Sequence, residues 1–298
     1  MDNMKITITF ILSLLFFSFI SEPIPSYPNN NQALLWKVKH PNNSSPSYIF
    51  GTMHLIEKEY FFYPKQLKRL IQKAPTLILE LEKTPESKDI LKHTQLKEGN
   101  FFDFFNTEQT DSILEWAKNK LNMERQVFRS VFYHTKPFVL SQLAMQSLFI
   151  GKTESYEQKI YQYAKEKNKQ IIGLETIDFQ LSLMDELPQK DQAKMVMDII
   201  NKEQQIKNDL KKLQKLYKAQ KIDSLNIELK EEISPNSNFE DLFITNRNNN
   251  WIPILETAFQ KSSCFVAVGA GHVGGPKGLL RLLEKKGYEL TPIYLNNK

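Results

Sequence analysis

Two of the five histidines in this chain share a context. Gly51-Thr52-Met53-His54 and Gly269-Ala270-Gly271-His272 both read Gly-x-x-His. Each follows a short apolar run, Ser47 to Phe50 in the first case and Phe265 to Val268 in the second. Such runs, partly β-branched or aromatic, predict buried strands. Each histidine is then expected in a loop just past the carboxyl end of a strand, where open α/β sheets gather ligands. An imidazole there can bind a metal or move a proton.

Carboxylates recur in the same kind of place. Thr76-Leu77-Ile78-Leu79-Glu80-Leu81-Glu82 predicts a strand with Glu80 and Glu82 on one face at its carboxyl end. Glu80 reads equally as a metal ligand or base and as a solvated strand end, and Glu82 is the weaker candidate. Gln170 to Leu174 predicts another strand, ending in Glu175, with Thr176 a natural N-cap for the helix that follows. Glu175 can serve a site or simply favour a helix start. Arg247, between Asn246 and Asn248, can grip a carbonyl or carboxylate, and a surface salt bridge explains it as well. His93 sits in a lysine-containing polar stretch and is expected to be exposed. His134 has no evident partner nearby and reads as structural, and His40 belongs to the turn His40-Pro41-Asn42-Asn43.

These groups need a frame. Leu34 to Lys39 and Ser47 to Phe50 predict a hairpin that delivers His54. Residues 262 to 294 predict strand, glycine-rich loop, helix and strand, with Pro276 in the first turn of the helix and Gly287 at its end. Residues 101 to 150 are helical in pattern, and the Phe101, Phe102, Phe104, Phe105 run reads as core, with a substrate groove as the alternative. Residues 188 to 235 predict a lysine-rich helical insertion with a solvated face, a lid or partner surface. The expected fold is α/β: a central mixed β-sheet flanked by helices, in two related halves, with that insertion. A single domain over residues 33–298 is expected.

Composition narrows the function classes. The chain has 298 residues, 41% hydrophobic and 24% charged, which suits a globular protein with a full core. Its net charge of +5 is spread over many lysines and gives no arginine-rich block for nucleic acid. Cys264 is the single cysteine, so neither an intramolecular disulfide nor a cysteine-rich metal site is available, and it reads as a small core residue. Lys5 precedes the uncharged run Ile6 to Ile20, and Ser21, Glu22 and Pro23 break it. This predicts a signal peptide over residues 1–21, a flexible lead-in over 22–32, and a secreted or periplasmic protein that meets the membrane only through that segment. An uncleaved anchor is the alternative.

Gly269-x-Gly271-x-x-Gly274 also fits a dinucleotide-binding fingerprint. The strand that follows ends in Tyr294-Leu295-Asn296, with no acid for a ribose, and this argues against it.

Taken together, Gly51-Thr52-Met53-His54, Gly173-Leu174-Glu175-Thr176 with Gln180, Asn246-Arg247-Asn248 with Trp251, and Gly269-Ala270-Gly271-His272 with Gly278 resemble the TraB/PrgY/GumN family, in order over residues 33 to 295. That family includes the TIKI metalloproteases and is similar in fold to erythromycin esterase and the ChaN haem-binding lipoprotein. The resemblance implies two related halves, each supplying a Gly-x-x-His. In the TIKI branch it implies metal-dependent cleavage of a peptide or protein substrate. PrgY-like members imply peptide binding without catalysis. His54 and His272 match the motif histidines, and Glu80, Glu175 and Arg247 match polar positions. On this reading the histidines and a carboxylate hold Mn²⁺, Co²⁺ or Zn²⁺, which activates water. A remaining glutamate acts as base and Arg247 steadies the oxyanion. No His-Glu-x-x-His helix is present.

Overall fold

The computed structural model describes residues 32–43, 45–149, 151–232 and 237–296. The expected signal peptide and nearly all of the lead-in lie outside the described residues. Among those residues, no helix is long and apolar enough to cross a membrane.

A six-stranded mixed sheet forms the centre. Its strands are β1 (Leu35–Lys39), β2 (Ser47–Thr52), β4 (Thr76–Leu81), β6 (Gln170–Glu175), β7 (Cys264–Gly269) and β8 (Glu289–Ile293), in the spatial order β6-β4-β7-β2-β1-β8. A separate two-stranded ribbon pairs β3 (Ile56–Glu57) with β5 (Thr153–Glu154). Strands β6, β4, β7 and β2 run parallel, and β1 is antiparallel to both β2 and β8. Residues Cys264 to Gly269 are all buried, as a central parallel strand covered on both faces must be.

The order of the strands decides where the chemistry goes. Strand β7 comes late in the chain yet slots between β2 and β4. Thr52 aligns with Gly269, so the two Gly-x-x-His segments leave neighbouring parallel strands at the same level. Leu81 aligns with Glu175 across β4 and β6. The carboxyl ends of β2, β7, β4 and β6 therefore carry His54, His272, Glu80 and Glu175 side by side.

Helices pack around this sheet and around a second apolar core. The second core joins residues 101–149 to the helix Gln189–Asn201 and holds Phe101, Phe128 and Phe132. Of the phenylalanine run, Phe101 is buried in this core, and Phe102 and Phe105 are partly buried against it. The described part of the lysine-rich insertion, residues 188–232, packs part of its length against the rest of the fold. It forms helices Gln189–Asn201, Glu203–Lys218 and Ile222–Glu232, with Leu210, Leu213 and Tyr217 buried. Tyr217 Oη donates to the Gly51 carbonyl at 2.9 Å, which ties the insertion to the end of β2.

Two local readings change. A one-turn helix, Ala270–Val273, follows β7 directly, and the next helix is Leu279–Lys285, so Pro276 lies in the turn before it. That turn is too tight for a side chain: a Cβ on Gly278 would sit 2.0 Å from the Gly274 carbonyl oxygen. His93 is buried rather than exposed, because its Nε2 stands 2.9 Å from Asp178 Oδ1 on a neighbouring helix. Tertiary pairing thus overrides the polar neighbourhood of its sequence. His40 keeps its place in the expected turn: its carbonyl accepts from Asn43 N at 2.9 Å, its Nδ1 accepts from Asn42 N at 3.2 Å, and its ring lies 5.0 Å from that of Tyr288.

Candidate functional site

Gly269, the last residue of β7, marks the middle of the cluster. Its N–H donates to Glu80 Oε1 at 2.8 Å. A Cβ placed on it would lie 3.3 Å from Glu80 Oε1, 3.3 Å from His54 Nε2 and 3.6 Å from His272 Cδ2. The absence of a side chain here lets three functional groups close over one backbone position. Both motif histidines thus converge on a common point, with Glu80 between them.

The two histidines differ in state. His272 is buried and held on both nitrogens. Arg247 Nη1 stands 3.0 Å from its Nε2, and Asn248 Oδ1 stands 2.8 Å from its Nδ1. Arginine only donates and an amide oxygen only accepts, so His272 is the neutral tautomer with its proton on Nδ1. Burial, and then the Arg247 charge, push its pKa down to about 3. The Trp251 ring packs against it, with centroids 4.4 Å apart.

His54 is the accessible one, with a quarter of its side chain exposed. Its Nδ1 donates to Glu157 Oε1 at 2.8 Å, and its Nε2 faces Glu80 Oε1 at 3.6 Å. Burial opposes its charge, but the Glu157 and Glu80 carboxylates outweigh burial and raise its pKa to about 9. At neutral pH His54 is therefore an imidazolium. Thr52 Oγ1 also donates to Glu157, and the His54 charge keeps that carboxyl ionised against the effect of burial.

Arg247 is neither at the surface nor free. The helix Asn246–Lys261 places residues 247, 248 and 251 on one face, and all three are buried against the strand ends. The Arg247 Nε and Nη2 groups form a fork on Glu175, at 3.1 and 2.6 Å. Its Nη2 also reaches Glu80 Oε2 at 2.7 Å, and Nη1 donates to the Phe243 carbonyl as well as to His272. All five guanidinium hydrogens have a partner. Gln180 Nε2 donates to Glu80 at 3.1 Å and Glu175 at 2.8 Å, and Trp251 Nε1 donates to Glu175 at 3.1 Å. Glu80 is held well below the usual carboxylate range: burial alone would raise it, but Arg247 and then His54 prevail. Glu175 moves the other way, because burial dominates and the Glu80 charge adds to it despite Arg247.

The family model described as TraB/PrgY/gumN matches residues 34–292. The chain belongs to the TraB/PrgY/gumN family. Searches of curated proteins and of solved structures give no match.

For this family member, a metal centre shared by His54 and His272 requires one free lone pair from each ring, aimed at one point. The only lone pair of His272 is taken by Arg247, and the guanidinium already supplies the positive charge between Glu80 and Glu175. Among the described residues, no group of three or more His, Cys, Asp or Glu side chains stands so as to hold a metal ion. As arranged, these donors do not fit a divalent ion shared by the two histidines.

The cluster brings together all five predicted residues, His54, Glu80, Glu175, Arg247 and His272. Glu82 does not join it, lying exposed beyond β4. Sequence reasoning missed Glu157 and Asn248 and left Gln180 without a role. Gln180 and Asn248 belong to segments already singled out, and the helical spacing of 247, 248 and 251 could have placed Asn248. Glu157 carries no such signal, because an acid in the first turn of a helix reads as a dipole partner.

Proposed function

We propose that the chain is a hydrolase of a peptide or similar carbonyl substrate, with His54 as its reacting group. One observation carries this reading: His54 alone among the clustered groups is both solvent-accessible and held by a carboxylate through Nδ1, with Nε2 beyond hydrogen-bond distance of its nearest carboxylate, 3.6 Å from Glu80 Oε1. A histidine so oriented can take a proton from water as the water oxygen bonds to the carbonyl carbon. It can return that proton to the leaving amine as the C–N bond breaks. Glu157 fixes the ring and favours the imidazolium formed. Arg247 and Glu175 keep Glu80 and His272 in place rather than touching substrate, since their hydrogen bonds are spent on one another.

Because His54 is protonated at neutral pH, the basic step gains as pH rises toward 9. No step is assigned to Mn²⁺, Co²⁺ or Zn²⁺. The apolar segment Ile6 to Ile20 supports action in the cell envelope or outside the cell.

A second reading, a peptide-binding or sequestering protein on the same fold, is favoured by a different observation. Arg247 has no N–H left to stabilise an oxyanion. Digestion of a peptide library separates the two readings. The wild-type chain, His54→Ala and His134→Ala are compared with a chelator present and with each metal added. The hydrolase reading expects cleavage in the wild type and in His134→Ala, whose ring is exposed, and none in His54→Ala. Peptide retention without cleavage under every condition supports the binding reading. Cleavage that appears only with added metal returns the metal to the site.

A further inference from the structure

A cavity lies beside the sheet, away from the histidine cluster. In helix Lys65–Lys73, Leu67 and Ile71 are buried. Gln66, Arg69, Leu70 and Lys73 recur at i, i+3, i+4 and i+7, so they share the adjacent face of the helix. That face lines a cavity of about 440 Å³ together with Lys37 of β1, Tyr48 of β2 and Ile293 of β8. Lys37 and Tyr48 are direct cross-strand partners, which places the cavity at the amino end of β2, whereas His54 follows its carboxyl end.

The charge is one-sided. Three cations and no carboxylate line the cavity. The helix itself reads KQLKRLIQK, with four cations and no acid. Arg69 and Lys73 stand four residues apart, where like charges repel. An anion in the cavity relieves that repulsion. The remaining wall is apolar or aromatic, from Leu70, Ile293 and Tyr48.

We propose that this groove binds a phosphate ester whose organic part is apolar. A phosphate carries up to two charges and three acceptor oxygens. It matches a planar guanidinium and two mobile ammonium groups better than one carboxylate can. The apolar wall then takes the organic part. Such a group can come from a soluble phosphate ester or from a phospholipid headgroup.

The test uses the full chain and the double variant Arg69→Glu/Lys73→Glu, both positions being exposed. Titration calorimetry measures inorganic phosphate and phenyl phosphate. Co-sedimentation measures vesicles of phosphatidylglycerol against phosphatidylcholine. The expected result is that phenyl phosphate binds the wild type more tightly than inorganic phosphate does, weakens with salt, and binds the double variant at least about tenfold more weakly. Failure of phenyl phosphate to bind, with a preference for phosphatidylglycerol that the double variant loses, assigns the group to a lipid headgroup. Lys37→Gln, read the same way, replaces the double variant should that fail to fold. Equal binding of every probe by wild type and variants overturns the proposal, and so does inorganic phosphate binding as tightly as phenyl phosphate.

Discussion

Replacing Arg247 by Met tests whether the guanidinium is what makes the carboxylate cluster tolerable. Arg247 is buried and bonds Glu80 and Glu175 with its Nη2 at 2.7 and 2.6 Å, and Glu175 again with Nε. Methionine keeps much of the length and removes the charge. Two buried carboxylates are then left with Gln180 and Trp251 but no counter-charge at their shared centre. Removing one partner of a buried ion pair costs about 3–5 kcal/mol, against a typical domain stability of about 5–15 kcal/mol. The loss expected at pH 7 is about 4 kcal/mol.

The loss must also depend on pH. In the wild type, Glu80 is depressed below its ordinary value of 4.5, so its contribution is present above that value and fades as pH falls. In the variant, burial without Arg247 raises both carboxyl groups relative to the wild type, so the variant gains less stability than the wild type as pH rises. Both trends shrink the difference on acidification. Urea unfolding of both proteins at pH 7 and near pH 4.5 measures it. A deficit below about 1 kcal/mol, or one of equal size at both pH values, refutes the account of Arg247 as the central counter-charge.

Other predictions concern the rest of the cluster and the N-terminus. Glu157→Gln removes the leading carboxylate partner of His54, so the His54 pKa, followed by histidine NMR, should fall from about 9 by about 2 units. The wild-type shift of 6.5 to about 9 is worth about 3 kcal/mol. This stability is fully present below 6.5 and lost as pH rises through 9, so the variant should show a weaker alkaline decline in unfolding free energy. Gly269→Ala pushes a methyl to 3.3 Å from both Glu80 Oε1 and His54 Nε2, and should cost about 1–3 kcal/mol in urea unfolding with a larger loss of cleavage. Mass spectrometry of the mature protein should find its N-terminus near residues 21 to 27, and an intact Met1 in the cytosol refutes the export signal.

Much of the site was legible because each half of it repeats a local pattern. An apolar run followed by Gly-x-x-His predicts a strand end with a histidine beyond it, and β2 and β7 supply both. Glu80 and Glu175 were legible for the same reason, as acids at the ends of apolar runs. Their convergence follows from β7 inserting between β2 and β4, a pairing of distant segments that no local pattern states. Glu157 was hidden because the chain brings it to His54 from a separate helix, where an acid after Ser155 has an ordinary capping explanation. The states of the groups were hidden too. Whether Arg247 is a surface cation or a buried fork depends on which side of its helix meets the sheet, and that also decides whether His272 has a lone pair to offer. The insertion looked solvated because its lysines dominate the composition, although Leu213 and Tyr217 lie on its buried side.

The most direct test of His54 as the reacting group is the pH dependence of kcat/KM for a cleaved peptide, measured with a chelator present in the wild type and in Glu157→Gln. The rate of the wild type should rise with a limb near pH 9, and Glu157→Gln should move that limb down by at least about 1 unit while leaving a measurable rate. A limb at the same pH in both proteins would contradict the assignment of His54, held by Glu157, as the group that moves the proton.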